Sequence, residues 1–396
     1  MYRIKTINNI AAAGTGLFSR GRYTVSPEEE RPDAILVRSA KMHDMQFGGE
    51  LLCIARAGAG TNNIPTDRCA ERGIVVFNTP GANSEAVKEL AICALIMSSR
   101  DVTGSIDWVR SIADRGDEVP ALVEAGKNAF TGPEIMGKKL GVIGLGAVGA
   151  PIANAAVALG MEVYGHDPFL SIDAAWRLSS QVINAKDRPQ IYKTCDYITL
   201  HVPYMESTHH MIDAEAIAQM KKGARVLNLS RAEVVDDDAM LAALESGHIS
   251  RYVTDFPNAK TAGAKGVIAM PHLASSTPES EEKCAFMAAA QIIDYLENGN
   301  IINSVNMPYV AMPRMGAEPR VCVLHRNIPD MITKISGALS ARGINIENMV
   351  NAAVRGRDLA YTLIDVSRVD AGLQEELEAV SGVTRVRILP QASRLE

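Results

Sequence analysis

The 396-residue chain lacks several things that would place it quickly. Its six cysteines (Cys53, Cys69, Cys93, Cys195, Cys284, Cys322) are scattered, with no C-x-x-C pair. That excludes a disulfide scaffold or a thiolate zinc site and suits free thiols in a reducing cytoplasm; no metal is expected. No apolar run approaches the length that crosses a bilayer, and the N-terminus lacks the pattern of a secretory leader. No charge of one sign dominates: the net charge is −6 with 22% charged residues, so neither nucleic acid nor a membrane surface is expected as a partner. There is no long internal repeat and no low-complexity segment. What remains is the composition of a soluble globular protein, too long for one core of ordinary size and divided into two or three domains.

The most informative stretch is GVIGLGAVGAPIANAAVALGMEVYGHD, residues 141–167. It reads as strand, glycine turn, helix, second strand and terminal acid. Gly144, Gly146 and Gly149 form G-x-G-x-x-G, with Ala147 and Val148 between them. The first glycine permits the tight turn, the second lets backbone N–H groups approach a pyrophosphate, and the third lets the helix pack close to the strand. The helix N-terminus then faces the phosphates. Asp167 ends the second strand at the distance where a carboxylate accepts hydrogen bonds from the adenosine ribose. Its charge repels a 2′-phosphate, and Pro168 and Phe169 bring no arginine, so NAD is favoured over NADP.

Before this motif, Ala34–Val37, Leu51–Ala55 and Gly73–Phe77 read as strands of a parallel α/β domain. Ser84–Ser99 reads as a long helix, apolar on most of its faces and therefore buried. The polar stretch Asp114–Pro133 leads into the motif. After it, strands are expected at Tyr197–His201, Ala224–Leu229, Tyr252–Asp255 and Val267–Met270. A helix follows from Ser276 to about Leu296, with Pro278 at its first position, Glu279, Glu281 and Glu282 in its first turn, and Gly299 to end it. Pro308–Pro319 is linker-like. Beyond it the chain shows a βαββαβ pattern: strands at Arg320–Leu324, Ile346–Val354, Leu359–Val366 and Thr384–Leu389, with helices ending at Gly343 and spanning Ala371–Val380.

In open parallel sheets the functional groups sit at the carboxyl ends of strands. Two expected strands end in Asn228-Leu229-Ser230-Arg231 and in Pro271-His272. The planar fork of Arg231 suits a substrate carboxylate. The imidazole of His272 suits the proton of a hydroxyl whose carbon gives up a hydride.

The run VLNLSRAEVVD (Val226–Asp236), the segment PHLASST (Pro271–Thr277) and the dinucleotide motif resemble the D-specific 2-hydroxyacid dehydrogenases. VRSAKM (Val37–Met42), RAGAGTNNIP (Arg56–Pro65) and NTPGANSEAVKELAI (Asn78–Ile92) resemble members of that family that act on a phosphorylated 2-hydroxy acid. The resemblance implies a flavodoxin-like substrate domain over residues 1–99 and 281–308. It implies a Rossmann NAD domain over 100–280, with substrate in the cleft between them, and a homo-oligomer. It makes His272 the general acid/base and gives Arg231 the 2-hydroxy or 2-keto acid. Backbone N–H groups of Ala57 and Gly58 would bind the carboxylate, and Arg38, Ser39 and Lys41 or Arg56 the phosphate. Asp255 would contact the nicotinamide amide, and His201, Val202 and Pro203 would line the cofactor.

One departure stands out. The family places a carboxylate a few residues beyond the Asp255 strand to orient the histidine, yet no Asp or Glu lies between Asp255 and His272. Asn258 orienting the ring, an acid elsewhere in the fold, or a weak or inactive enzyme are the three readings. A dehydrogenase for another D-2-hydroxy acid and a catalytically weak NAD-binding regulator remain alternatives.

After a linker at 309–319, residues 320–396 resemble an ACT domain, an amino-acid-binding module. That resemblance implies L-serine as effector, held by His325, Asn327 and Asn345 across a dimer interface. Many ACT loops carry glycine where this chain has Asp330, a residue that tolerates turn geometry.

Overall fold

The computed structural model describes residues 1–314, 318–354 and 356–390; part of the 309–319 linker and the end of the 320–396 segment lie outside the described residues. By contacts the chain falls into two compact units, residues 1–82 with 278–396, and residues 83–277.

The first unit opens with a five-stranded parallel sheet. Its order is Tyr23–Ser26, Tyr2–Ile7, Ala34–Val37, Cys53–Arg56, Val75–Phe77. Ala34–Val37 is buried at all positions, as a continuous apolar run in a sheet covered on both faces should be. The strands Tyr2–Ile7 and Tyr23–Ser26 were not legible from the sequence. In YRIKTI only Ile4 is buried, and Arg3 owes its place to a fork on Asp33 at 3.1 and 3.2 Å.

The second unit holds a seven-stranded parallel sheet. It runs Val267–Ala269, Ile249–Thr254, Ala224–Asn228, Tyr197–Leu200, Lys139–Ile143, Glu162–His166, Ile183–Asn184. The helix Ser84–Ser99 has the bounds expected from sequence and buries Ala86, Val87, Ala91, Ala94 and Leu95. The stretch expected to be a polar connection is instead mostly helical, at Val119–Gly126 with 3-10 turns at Ala113–Glu118 and Lys127–Phe130. None of these three segments, nor the preceding helix Val102–Ser111, buries a residue. Val102–Ser111 and Val119–Gly126 nevertheless carry their apolar residues at helical spacing, a local signal that the reading of a polar connection passed over.

The C-terminal βαββαβ pattern forms a four-stranded antiparallel sheet, ordered Ile346–Ala353, Ala360–Val366, Arg320–His325, Val383–Leu389. One face carries the helices Met331–Ala341 and Leu373–Glu378 over Val321, Val323, Ile364 and Val366. The other face does not stand apart from the first unit. Cys322, Leu324, Tyr361 and Leu363 share a core with Ile4, Ala55, Phe77, Ile292 and Tyr295.

The joint is polar as well as apolar. Buried Arg387 donates to Tyr295 O at 3.1 Å and Leu296 O at 2.9 Å, and its guanidinium lies 4.5 Å from the Tyr295 ring centre. A cation among the last carbonyls of the Pro278–Asn298 helix is favoured by the helix dipole, and the ring face adds to it. Arg320 forks onto Asp365 at 2.6 and 2.8 Å and donates to Asn298 O at 2.8 Å. Gly299 ends the helix at φ 75°, and its carbonyl accepts from Tyr361 Oη at 2.7 Å. No helix among the described residues is long and apolar enough to cross a membrane.

Candidate active site

The glycine loop is shaped by exclusions. Gly144 sits at φ 91°, and a side chain there would meet the His201 carbonyl oxygen at 2.5 Å and Val202 Cγ1 at 3.1 Å. A side chain on Gly149 would collide with the Gly144 carbonyl, whereas one on Gly146 would meet nothing within 4 Å. The backbone at Gly146 is thus uncovered at the point where a pyrophosphate has to approach, and the exposed Ala147 and half-buried Val148 lead into the helix Gly149–Ala158. Asp167 is tied to the same loop, since its Oδ2 accepts from Leu145 N and its Oδ1 from Phe169 N, both at 2.9 Å. These residues fit a dinucleotide. His201 backs the loop: Thr199 Oγ1 lies 2.8 Å from its Nε2, and burial pulls the imidazole down to about 3, so it is neutral at physiological pH. The Pro203 carbonyl accepts from Thr208 Oγ1 at 2.8 Å, which pins the end of that segment.

Arg231 and His272 follow Ala224–Asn228 and Val267–Ala269, which flank Ile249–Thr254 in this sheet. Asn228, fully buried, organises the turn that presents Arg231. Its Oδ1 accepts from Ser230 N at 3.2 Å and Ser230 Oγ at 2.8 Å, and its Nδ2 donates to Arg231 O at 2.8 Å. The sequence offered no signal for that scaffold beyond an asparagine at a strand end. Arg231 Nη1 also donates to Ser230 O at 2.6 Å.

His272 is exposed, and the Phe256 ring lies 4.6 Å from it, centre to centre, at 46°. Asp255 ends the strand next to the one that leads to His272, with Thr254 in register with Ala269. Asp255 is fully buried, and burial raises its carboxyl above the usual range, opposed by the nearby charges of His272 and Arg231. Asn258 does not take up the ring in this structure. Its Nδ2 donates to Asp237 Oδ2 at 2.6 Å, and its Oδ1 accepts from Lys260 N and Thr261 N at 2.9 and 3.2 Å.

In the first unit, the residues expected to bind substrate lie on loops after Ala34–Val37 and Cys53–Arg56. Half-buried Arg38 forms an ion pair with Glu281, in the first turn of the Pro278–Asn298 helix. Ser39 N and Ala40 N both donate to Asn8 Oδ1, at 3.0 and 2.9 Å, with Asn8 itself at φ 71°. The sequence marks Glu281 only as a first-turn acid and gives no signal for Asn8, because each acts on a distant segment. Lys41 is exposed. Arg56 is turned onto its own loop, where Nε donates to Arg38 O at 3.0 Å and Nη1 to Gly60 O. Arg56, expected with Lys41 as an alternative phosphate ligand, braces its own loop through these bonds. The Ala57 and Gly58 amides are also spent, donating to Val37 O at 2.8 Å and Arg56 O at 2.9 Å. A carboxylate bound there would have to displace those bonds.

The expected effector residues do not form one exposed set. His325 is buried, with Nδ1 2.8 Å from Arg326 O and Nε2 2.8 Å from Thr362 Oγ1. Asn327 and Asn345 are exposed, and Asn345 Nδ2 donates to Glu347 Oε1 at 2.9 Å. Asp330 adopts the left-handed conformation, φ 75°, that glycine would take there.

Comparison with known proteins agrees with this architecture. Residues 97–274 match the family described as D-isomer specific 2-hydroxyacid dehydrogenase, NAD binding domain. The D-3-phosphoglycerate dehydrogenase of Escherichia coli is 31% identical over 86% of this chain and 82% of its own length. That of Saccharomyces cerevisiae, D-3-phosphoglycerate dehydrogenase 1, is 28% identical over 98% of this chain and 87% of its own. Among solved structures, Rhodotorula graminis D-mandelate dehydrogenase aligns with TM-score 0.66 at 22% identity, covering 79% of this chain and 99% of that one. NAD+-bound 3-phosphoglycerate dehydrogenase of Entamoeba histolytica aligns at 0.61 and 24%, covering 78% and 99%; both share the fold. The chain belongs to the D-isomer-specific 2-hydroxyacid dehydrogenase family and is an NAD-dependent oxidoreductase.

Proposed function

We propose that the protein oxidises 3-phospho-D-glycerate to 3-phosphohydroxypyruvate, the first step of serine biosynthesis. The observation that carries the chemistry is the placement of Arg231 and His272 after Ala224–Asn228 and Val267–Ala269, the two strands that flank Ile249–Thr254 in the sheet that also bears the glycine loop. Bound NAD supplies the hydride acceptor, held by Gly144, Gly146, Ala147, Val148, Gly149 and Asp167, with His201, Val202 and Pro203 beside them. Arg231 holds the 2-hydroxy acid and polarises the developing carbonyl. His272 takes the hydroxyl proton onto a ring nitrogen as the C–H pair leaves as hydride. The substrate assignment is supported by relatives named D-3-phosphoglycerate dehydrogenase over most of the chain. Arg38 and Ser39 would meet the phosphate, with exposed Lys41 at hand. L-serine as effector at Asn327 and Asn345, with homo-oligomerisation through the antiparallel domain, belongs to the same reading; so does a cytoplasmic location.

A second reading is a dehydrogenase for an unphosphorylated D-2-hydroxy acid. One observation favours it: Arg38 is paired with Glu281 and Arg56 with loop carbonyls. NADH formation with 3-phosphoglycerate, D-glycerate and D-lactate, each with and without L-serine, separates the two. Turnover confined to the phosphorylated acid supports the first reading, and equal or better turnover of the others refutes it. Unchanged rates with serine refute the effector role.

A further inference from the structure

The geometry points to Asp255 as the carboxylate whose charge stabilises protonated His272, in place of the acid that this chain lacks between residues 255 and 272. The inference rests on His272 as acid/base but not on the identity of the substrate. It also gives Asp255 a task that the family resemblance does not, since that resemblance assigns this aspartate to the nicotinamide amide.

Asp255 is fully buried at the end of the strand Ile249–Thr254. A buried carboxylate ordinarily gathers two or three donors. Here Oδ1 has no hydrogen-bond partner, and Oδ2 has one long bond, from Ala274 N at 3.4 Å, two residues beyond His272. Burial raises its carboxyl, and what offsets burial most is the positive charge of His272, ahead of the Ala274 amide and of Arg231. Tyr252, on the same strand, also feels its charge, and burial pushes that phenol up to about 12, so it stays neutral. Of the acids on the nearby helix, Asp237 accepts from Asn258 at 2.6 Å and Asp238 from Lys260 Nζ at 2.7 Å, so both are already engaged.

The two strands are adjacent and in register up to Thr254 and Ala269, with Met270 N donating to Thr254 O at 2.9 Å. That places Asp255 and His272 at the same end of the sheet. Phe256, the next residue, packs its ring at a tilt against the imidazole. Ring and charge are thus set by consecutive residues, 255 and 256. When His272 accepts the substrate proton it becomes an imidazolium, and a nearby buried carboxylate stabilises that form. Removing the charge should lower the proton affinity of the ring by about tenfold or more, at the low end of a close opposite-charge effect.

The test is NMR titration of the full-length protein carrying 13Cε1-labelled histidine, with the His272 signal identified by its loss in His272→Gln. In Asp255→Asn, an isosteric change, the His272 pKa should fall by about one unit. The acid limb of the kcat/KM profile for hydroxy-acid oxidation should move down with it. Asp255→Ser, a smaller neutral variant, should give the same shift and covers the case in which Asp255→Asn folds poorly. An unmoved His272 titration in a folded variant overturns the inference. Raised KM for NAD with that titration unmoved gives Asp255 to the cofactor alone. A moved titration in an enzyme that ignores 3-phosphoglycerate upholds the inference while the substrate assignment falls.

Discussion

Replacing Gly299 with alanine tests how the C-terminal sheet is joined to the helix Pro278–Asn298. Gly299 has φ 75°, a conformation that costs an L-residue about 1–2 kcal/mol. The added methyl would stand 2.6 Å from Cys322 Sγ, 3.1 Å from Leu363 Cδ2 and 3.3 Å from Tyr361 Oη. All three neighbours belong to the antiparallel sheet, and Cys322 and Tyr361 are fixed in a close-packed core. Overpacking of this kind adds about 1–3 kcal/mol. The stiffer unfolded chain returns about 0.4–1 kcal/mol, leaving a net destabilisation of about 1–4 kcal/mol. Urea unfolding followed by far-UV circular dichroism would measure it. In a Cys322→Ala background the sulfur is gone, so the cost should shrink toward the backbone part, about 1–2 kcal/mol. A neutral Gly299→Ala, or costs that simply add in the double variant, would refute the close approach.

Asp330→Gly should raise stability by about 1 kcal/mol, because Asp330 occupies the left-handed region at φ 75°; a lower thermal midpoint would count against it. Arg38→Ala should raise KM for the phosphorylated acid with little change in kcat. Glu281→Gln, by freeing Arg38, should lower that KM by no more than about fivefold, since half-exposed ion pairs are worth at most about 1 kcal/mol; an unchanged KM in Arg38→Ala removes Arg38 from the site. His201 has its pKa pulled down to about 3 by burial, against about 6.5 unfolded. The unfolded state therefore binds the extra proton, and stability is full above about pH 6.5 and falls on acidification, by about 2 kcal/mol at pH 5. His201→Gln should flatten that part of the pH–stability curve, and an unaltered slope would show that His201 is not its source.

Local patterns were legible where one short segment carries the whole constraint. The glycine loop needs Gly144 and Gly149 because neighbouring backbone leaves no room for a side chain, and such exclusions write themselves into sequence. The helices Ser84–Ser99 and Pro278–Asn298 were legible because buried faces, a first-position proline and a terminal glycine are local signals. The strand Tyr2–Ile7 was not, since Arg3 needs Asp33 to lie there and that partner is remote in the chain.

The sequence by itself determined the class of fold, the dinucleotide turn, and the residue types at the strand ends, Arg231 and His272. Each depends on backbone geometry within a few residues or on chemistry that one side chain brings. Only the tertiary structure decided which groups meet. It turned Arg56 inward, paired Arg38 with Glu281, took Asn258 into a surface turn, and set a buried, half-unsatisfied Asp255 beside the strand that leads to His272. Those outcomes rest on desolvation and on partners brought together from distant segments, and a carboxylate is written the same way in a sequence whether it will be buried or left in water.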